Sequence, residues 1–128
     1  MSRSGYSDDC DGWDLIRWRG AVASAIRGKR GQAFLREVLT ALDAMPQKRL
    51  IRGELEHDGD VCTLGCLGRA RGLTMDEVDP YDRVTVASIF GIAEAIAAEI
   101  MFVNDDWHET PEQRWQRMRE WVAEQIAT

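Results

Sequence analysis

A chain of 128 residues, 45% hydrophobic and 30% charged, is one ordinary globular domain that can bury a core without disulfides or a structural metal. This composition excludes a disordered or fibrous chain, and three cysteines, an odd number, do not make a disulfide framework. The formal charge of −6 is unevenly spread: Met1–Gly72 carries 12 basic and 10 acidic residues, Leu73–Thr128 only 4 basic and 12 acidic. A sequence-independent nucleic-acid binder needs a broad basic face, so the acidic second half limits any such contact to a local one.

Residues 1–12, rich in Ser, Asp and Gly, read as a frayed tail, and residues 13–128 as a single helical domain. The tail has no apolar segment of the kind a secretory leader requires, so a cytoplasmic setting is expected. Leu15, Trp18, Val22, Ala25 and Ile26 then recur at steps of three and four, the spacing of a half-buried helix. It is expected to end at Gly28 in the left-handed conformation. A second helix is expected from about Gln32 to Ala44, with Phe34, Leu35, Val38, Leu39 and Leu42 inward and Pro46 as its stop. The short connection predicts an antiparallel pair.

Asp58-Gly59 between apolar runs is a hairpin signal, and Leu50–Glu56 fits one short strand. Gly65 and Gly68 argue against a second strand and for a small-residue helix over about Asp60–Arg71, packed closely on a neighbour and capped by Gly72. The apolar run Val84–Val103 is long enough for a bilayer, but Glu94 and Glu99 would be costly there. It predicts a buried helix from roughly Tyr81 to Val103. Thr110-Pro111-Glu112-Gln113 supplies an N-cap hydroxyl, a proline at the first helical position and a glutamine at the third, and Trp115, Met118, Trp121 or Val122, and Ile126 continue one face. The expected fold is therefore mainly α, a compact bundle of about five helices with a short strand or hairpin near residues 50–62.

Three stretches, Arg17–Ile51, Asp58–Gly72 and Glu109–Ile126, together resemble a set of small uncharacterised proteins encoded in tailed-phage and prophage genomes. The resemblance extends over almost the whole chain. It implies a bacterial cytoplasmic setting and a dispensable accessory gene, and brings with it no activity, cofactor or catalytic residue.

Among the chemical motifs, Gly28-Lys29-Arg30-Gly31 matches the glycine-x-x-glycine loop with which KH domains hold backbone nucleotides. Against this, no strand is expected before the first helix, and the favoured reading of the same residues is a helix corner whose cations face the negative helix end. His57, Cys62 and Cys66 lack a fourth ligand at any standard zinc spacing, so the cysteines are expected to be core residues and no metal is expected. Ser7–Gly12 begins like a calcium loop but places Trp18 where a bidentate glutamate is needed. His108-Glu109 lacks the second histidine of a metalloprotease helix. Neither G-x-S-x-G nor a Walker A motif is present, and Glu94 and Glu99, five residues apart, cannot form a carboxylate pair on one helix face. An enzyme is not expected, nor a cofactor.

Binding remains. Five tryptophans is a high number for this length, and Trp107 and Trp121 lie in the acidic part, with Trp115 expected to face the core. Asp105, Asp106, Trp107 and Trp121 are thus the expected protein-binding residues, an aromatic anchor with a charged rim for a basic host protein. The alternative is RNA or single-stranded DNA on Gly28, Lys29, Arg30 and Gly31. Self-association is compatible with either.

Overall fold

The computed structural model describes residues 3–4 and 12–127. Six helices and one hairpin follow in order: α1 (Gly12–Arg27), α2 (Lys29–Ala44), β1 (Glu56–His57), β2 (Asp60–Val61), α3 (Thr63–Ala70), α4 (Arg83–Phe90), α5 (Glu94–Asp105) and α6 (Pro111–Gln125). The mainly helical architecture with a short hairpin is as the sequence predicts.

The apolar stripe of α2 determines the centre of the fold. Leu35, Val38 and Leu42, at helical spacing, are fully buried, each contributing about 1.5–3 kcal/mol of burial free energy. They lie between α3 on one side and α6 on the other, where Leu64 and Leu67 meet Met118 and Val122 in one core cluster. The helix stops after Ala44, two residues before Pro46, as expected. Its beginning differs from expectation. Only Gly28 separates α1 from α2, and its φ of −65° and ψ of 158° make it the extended N-cap of α2, not a left-handed stop for α1. Lys29, Arg30 and Gly31 are therefore the first turn of α2.

The hairpin is shorter than the strand predicted from Leu50, and it has the second strand that the glycines argued against. Glu56 pairs with Val61 and His57 with Asp60, around Asp58 and Gly59 at φ 50° and 86°. Two successive positive φ values are what a type I′ turn demands, so this dipeptide folds the chain back at once. The small-residue helix then starts at Thr63, later than predicted, with the Cys62 sulfur accepting from Gly65 N–H. A Cβ on Gly65 would stand 1.8 Å from the Leu55 carbonyl oxygen. Close packing on a neighbour is thus correctly read from Gly65. The helix ends in the paired bonds Gly72 N–H to Arg69 C=O and Leu73 N–H to Gly68 C=O, with Gly72 left-handed.

The predicted long buried helix is two helices. Gly91, at φ 67°, closes α4, with its N–H on the Ser88 carbonyl and that of Ile92 on Ala87. The chain bends by 107° before α5. An apolar segment of this length exposes hydrophobic groups on every side of a single rod; broken, it turns Val86 and Phe90 of α4 and Ile96, Ile100 and Met101 of α5 into the same core. No single helix among the described residues is long and apolar enough to cross a membrane. Glu94 is exposed, 3.6 Å from Arg83, whereas Glu99 is buried, 3.8 Å from Arg19.

The N-terminus of α6 is as predicted. Thr110 Oγ1 accepts from Gln113 N–H at 3.1 Å, and Gln113 Oε1 accepts from Thr110 N–H at 3.0 Å. Thr110→Ala removes one half of this reciprocal cap and strands the other, so urea denaturation is expected to show a loss of about 1 kcal/mol.

Most of the expected tail lies outside the described residues. Arg3 and Ser4 do not, and both are buried. Arg3 is paired there with the half-buried carboxylate of Asp105.

Candidate binding site at the end of helix α5

Helix α5 ends with four carbonyl groups that have no partner within the helix. The sequence of α6 supplies the donors. Arg114, buried on the inner face of α6, donates from Nε to Asn104 O (3.0 Å), from Nη1 to Leu50 O (3.3 Å) and from Nη2 to Trp107 O (3.0 Å). One turn later, Arg117 donates from Nη1 to Val103 O (2.7 Å) and from Nε to both oxygens of Glu109 (2.9 and 3.1 Å). Two cations at a helix C-terminus oppose its partial negative charge, so the geometry that pairs the Val103 and Asn104 carbonyls is also electrostatically favourable. Burial lowers the basicity of Arg114, and Glu109 partly restores it.

Asn104 locks the same helix end from the other side. Its Oδ1 accepts from Thr63 N–H (3.1 Å) and Thr63 Oγ1–H (2.8 Å), and its Nδ2 donates to Ile51 O (3.0 Å) and Asp105 Oδ1 (2.8 Å). The amide thus joins α5, α3 and the segment before the hairpin. Gly53 N–H donates to Asp105 Oδ1 at 3.0 Å.

Into this frame comes Arg3. It donates from Nε to Asp105 Oδ2 at 2.6 Å and from Nη2 to Oδ1 at 2.9 Å, a bidentate pair, while Nη1 reaches Cys62 Sγ at 3.5 Å. Burial by itself would raise the Asp105 carboxyl, but the hydrogen bonds and charge of Arg3, helped by Asn104 and Gly53, hold it below the ordinary aspartate range. Arg3 is correspondingly raised: burial works against its charge, and Cys62 and Asp105 outweigh it.

The four expected protein-binding residues are therefore separated. Asp105 is turned inward and committed to Arg3. Asp106 is exposed beside it. Trp107 stands with 59% of its surface in solvent, although its backbone carbonyl is pinned by Arg114. Trp121 is half-buried against the core, as are Trp115 on the same helix and Ile126 at its C-cap. Next to Trp107 in the chain, His108 and Glu109 join Ile51, Arg52, Pro111 and Arg114 around an open groove of about 440 Å³. No signal in the sequence pointed to Arg3, Asn104 or Arg114, whose roles depend on segments distant along the chain.

The four expected nucleic-acid residues are contiguous but do not form a loop. Gly28, Lys29 and Arg30 are exposed. Gly31 is buried: a Cβ there would stand 1.8 Å from the Ala25 carbonyl oxygen. Paired glycines in a phosphate loop leave main chain open, and at Gly31 that space is taken by α1. Gln32 completes the corner by donating to Ile26 O (2.8 Å) and Gln125 O (3.0 Å), which joins it to the end of α6.

The cysteine and histidine candidates do not converge either. His57 is exposed on the hairpin between Glu54 and Asp58, Cys62 caps α3, and Cys66 lies in the core, where burial pushes its thiol up to about 12. Among the described residues, no three His, Cys, Asp or Glu side chains are grouped to share an ion. Comparison with protein-family models, with curated proteins and with solved structures finds no match to this chain.

Proposed function

We propose that the protein acts by binding a basic protein partner through the surface that carries Trp107. The observation that carries this reading is an exposed indole on a backbone whose carbonyl is held by a buried arginine. An aromatic side chain presented on a pre-ordered backbone loses little further freedom on binding, which is what an interface anchor requires. Charge supports the choice of partner. Arg114 and Arg117 turn into the protein, and Arg119 pairs with Asp43 (3.0 Å), so the few cations of the second half do little to offset its exposed carboxylates. Asp76, Glu77, Asp79, Asp82, Asp106, Glu112, Glu120 and Glu124 all lie on the surface.

The resemblance to phage and prophage proteins would make the partner a host protein in the bacterial cytoplasm, for example a defence nuclease whose nucleic-acid groove is basic. The experiment is capture from a bacterial lysate, identification by mass spectrometry, and binding kinetics on the captured protein. Trp107→Ala is expected to cost about 2 kcal/mol, seen as roughly 30-fold faster dissociation. Asp106→Lys is expected to slow association and flatten its salt dependence. Unchanged kinetics in both variants would remove the proposal.

A further inference from the structure

We propose that the pocket around Asp105 is an arginine-recognition site, filled in this structure by the chain's own Arg3 and open to an arginine of the partner when Arg3 leaves. This rests on the reading of the protein as a binder of a basic partner, and it specifies the side chain that partner supplies.

Residues other than the occupant also hold the carboxylate. Asp105 is oriented by Gly53 N–H at 3.0 Å and Asn104 Nδ2 at 2.8 Å, and Asn104 is itself held by Thr63 and Ile51. Arg3 meets the carboxylate with two nitrogens, one on each oxygen, which suits the fork of a guanidinium and not the point charge of an ammonium. Cys62 Sγ meets the third guanidinium nitrogen at 3.5 Å. Recognition extends past the side chain, because Arg83 donates from Nη1 to the carbonyl of Ser4. An arginine and the main-chain carbonyl of the next residue are thus read together. Only 1% of the Arg3 side chain is exposed, so the bond forms away from competing water. Arg3 is tethered, and an intramolecular ligand acts at an effective concentration of about millimolar order, which keeps the pocket closed to weak competitors.

The test supplies the occupant in trans. A synthetic hexapeptide of residues 1–6, MSRSGY, is titrated by calorimetry into wild type, Arg3→Ala and the double variant Arg3→Ala, Asp105→Asn. The double variant leaves no unpaired charge. The peptide is expected to bind Arg3→Ala saturably, wild type at least about 10-fold more weakly because the pocket is occupied, and the double variant not at all. Lysine in place of the peptide's arginine is expected to cost at least about 10-fold. Circular dichroism checks folding, and Arg3→Lys, which keeps a cation in place, serves as acceptor if Arg3→Ala does not fold. Absence of binding to both acceptors, equal binding to the double variant, or equal binding of the lysine peptide would overturn the assignment. A wild-type dimer in sedimentation that Arg3→Ala converts to monomer would also overturn it, by assigning the pocket to a second copy. The two readings fail separately: if the peptide does not bind while Trp107→Ala still speeds release of the captured partner, the pocket assignment falls and the docking surface stands.

Discussion

Replacing Asp105 with alanine is expected to lower the free energy of unfolding by about 3–5 kcal/mol, the range for removing one member of a buried ion pair. The loss arises less from the bond itself than from what is left behind. Arg3 keeps a charge that burial penalises, and the Gly53 N–H and one Asn104 donor lose their acceptor. Arg3→Ala combined with Asp105→Ala should be less damaging than Asp105→Ala alone, because no uncompensated charge remains. Urea denaturation of the three variants measures this. Acid should act in the same direction. Because the folded-state pKa of Asp105 lies below its unfolded value, the pair contributes fully above the ordinary aspartate pKa of about 3.9. Its contribution falls as pH drops from there through the lower folded-state value. The double variant, which has no such group, should lose less stability than wild type across that interval. A fully parallel pH dependence would show that the pair is not linked to folding.

Gly31→Ala is expected to cost about 3 kcal/mol, the upper part of the usual overpacking range, because the new methyl meets backbone. Its Cβ would stand 1.8 Å from the Ala25 oxygen and 2.9 Å from the Ala25 carbonyl carbon, and neither can swing aside as a long side chain does. Relief requires parting α1 from α2 at the corner that Gln32 ties to the end of α6. Lys29→Glu with Arg30→Glu, at exposed positions of the same turn, should change stability by no more than about 0.5 kcal/mol. Thermal melts of both variants separate a helix corner from a ligand loop, since in a loop the glycine substitution would be nearly as mild as the charge reversals. Retention of wild type on single-stranded nucleic acid at low salt, abolished by the charge reversals, would instead support the nucleic-acid reading through the exposed cations alone.

The sequence by itself determined the elements whose signals are local. The α6 capping box, the stop of α2 before Pro46 and the Asp58-Gly59 turn depend on residues within a few positions of one another, and all three stand where the periodicity and turn chemistry put them. So does the inner face of α2, because a 3.6-residue apolar repeat can be buried in only one way. The tertiary structure decided what depends on partners distant in the chain. Gly91 has the same composition cue as any glycine in an apolar run, and its left-handed break follows from the need to fold both halves onto one core. Asp105 and Asp106 are the same residue type side by side, yet one is half-buried and the other exposed, because Gly53 and Arg3, 52 and 102 positions away, reach only the first. In the same way Arg114 looks like any surface cation of a helix until α5 presents its unpaired carbonyls. Charge and aromatic content are the sequence's part of the proposed binding role, but which acid faces solvent and which tryptophan stands clear of the core are properties of the assembled helices.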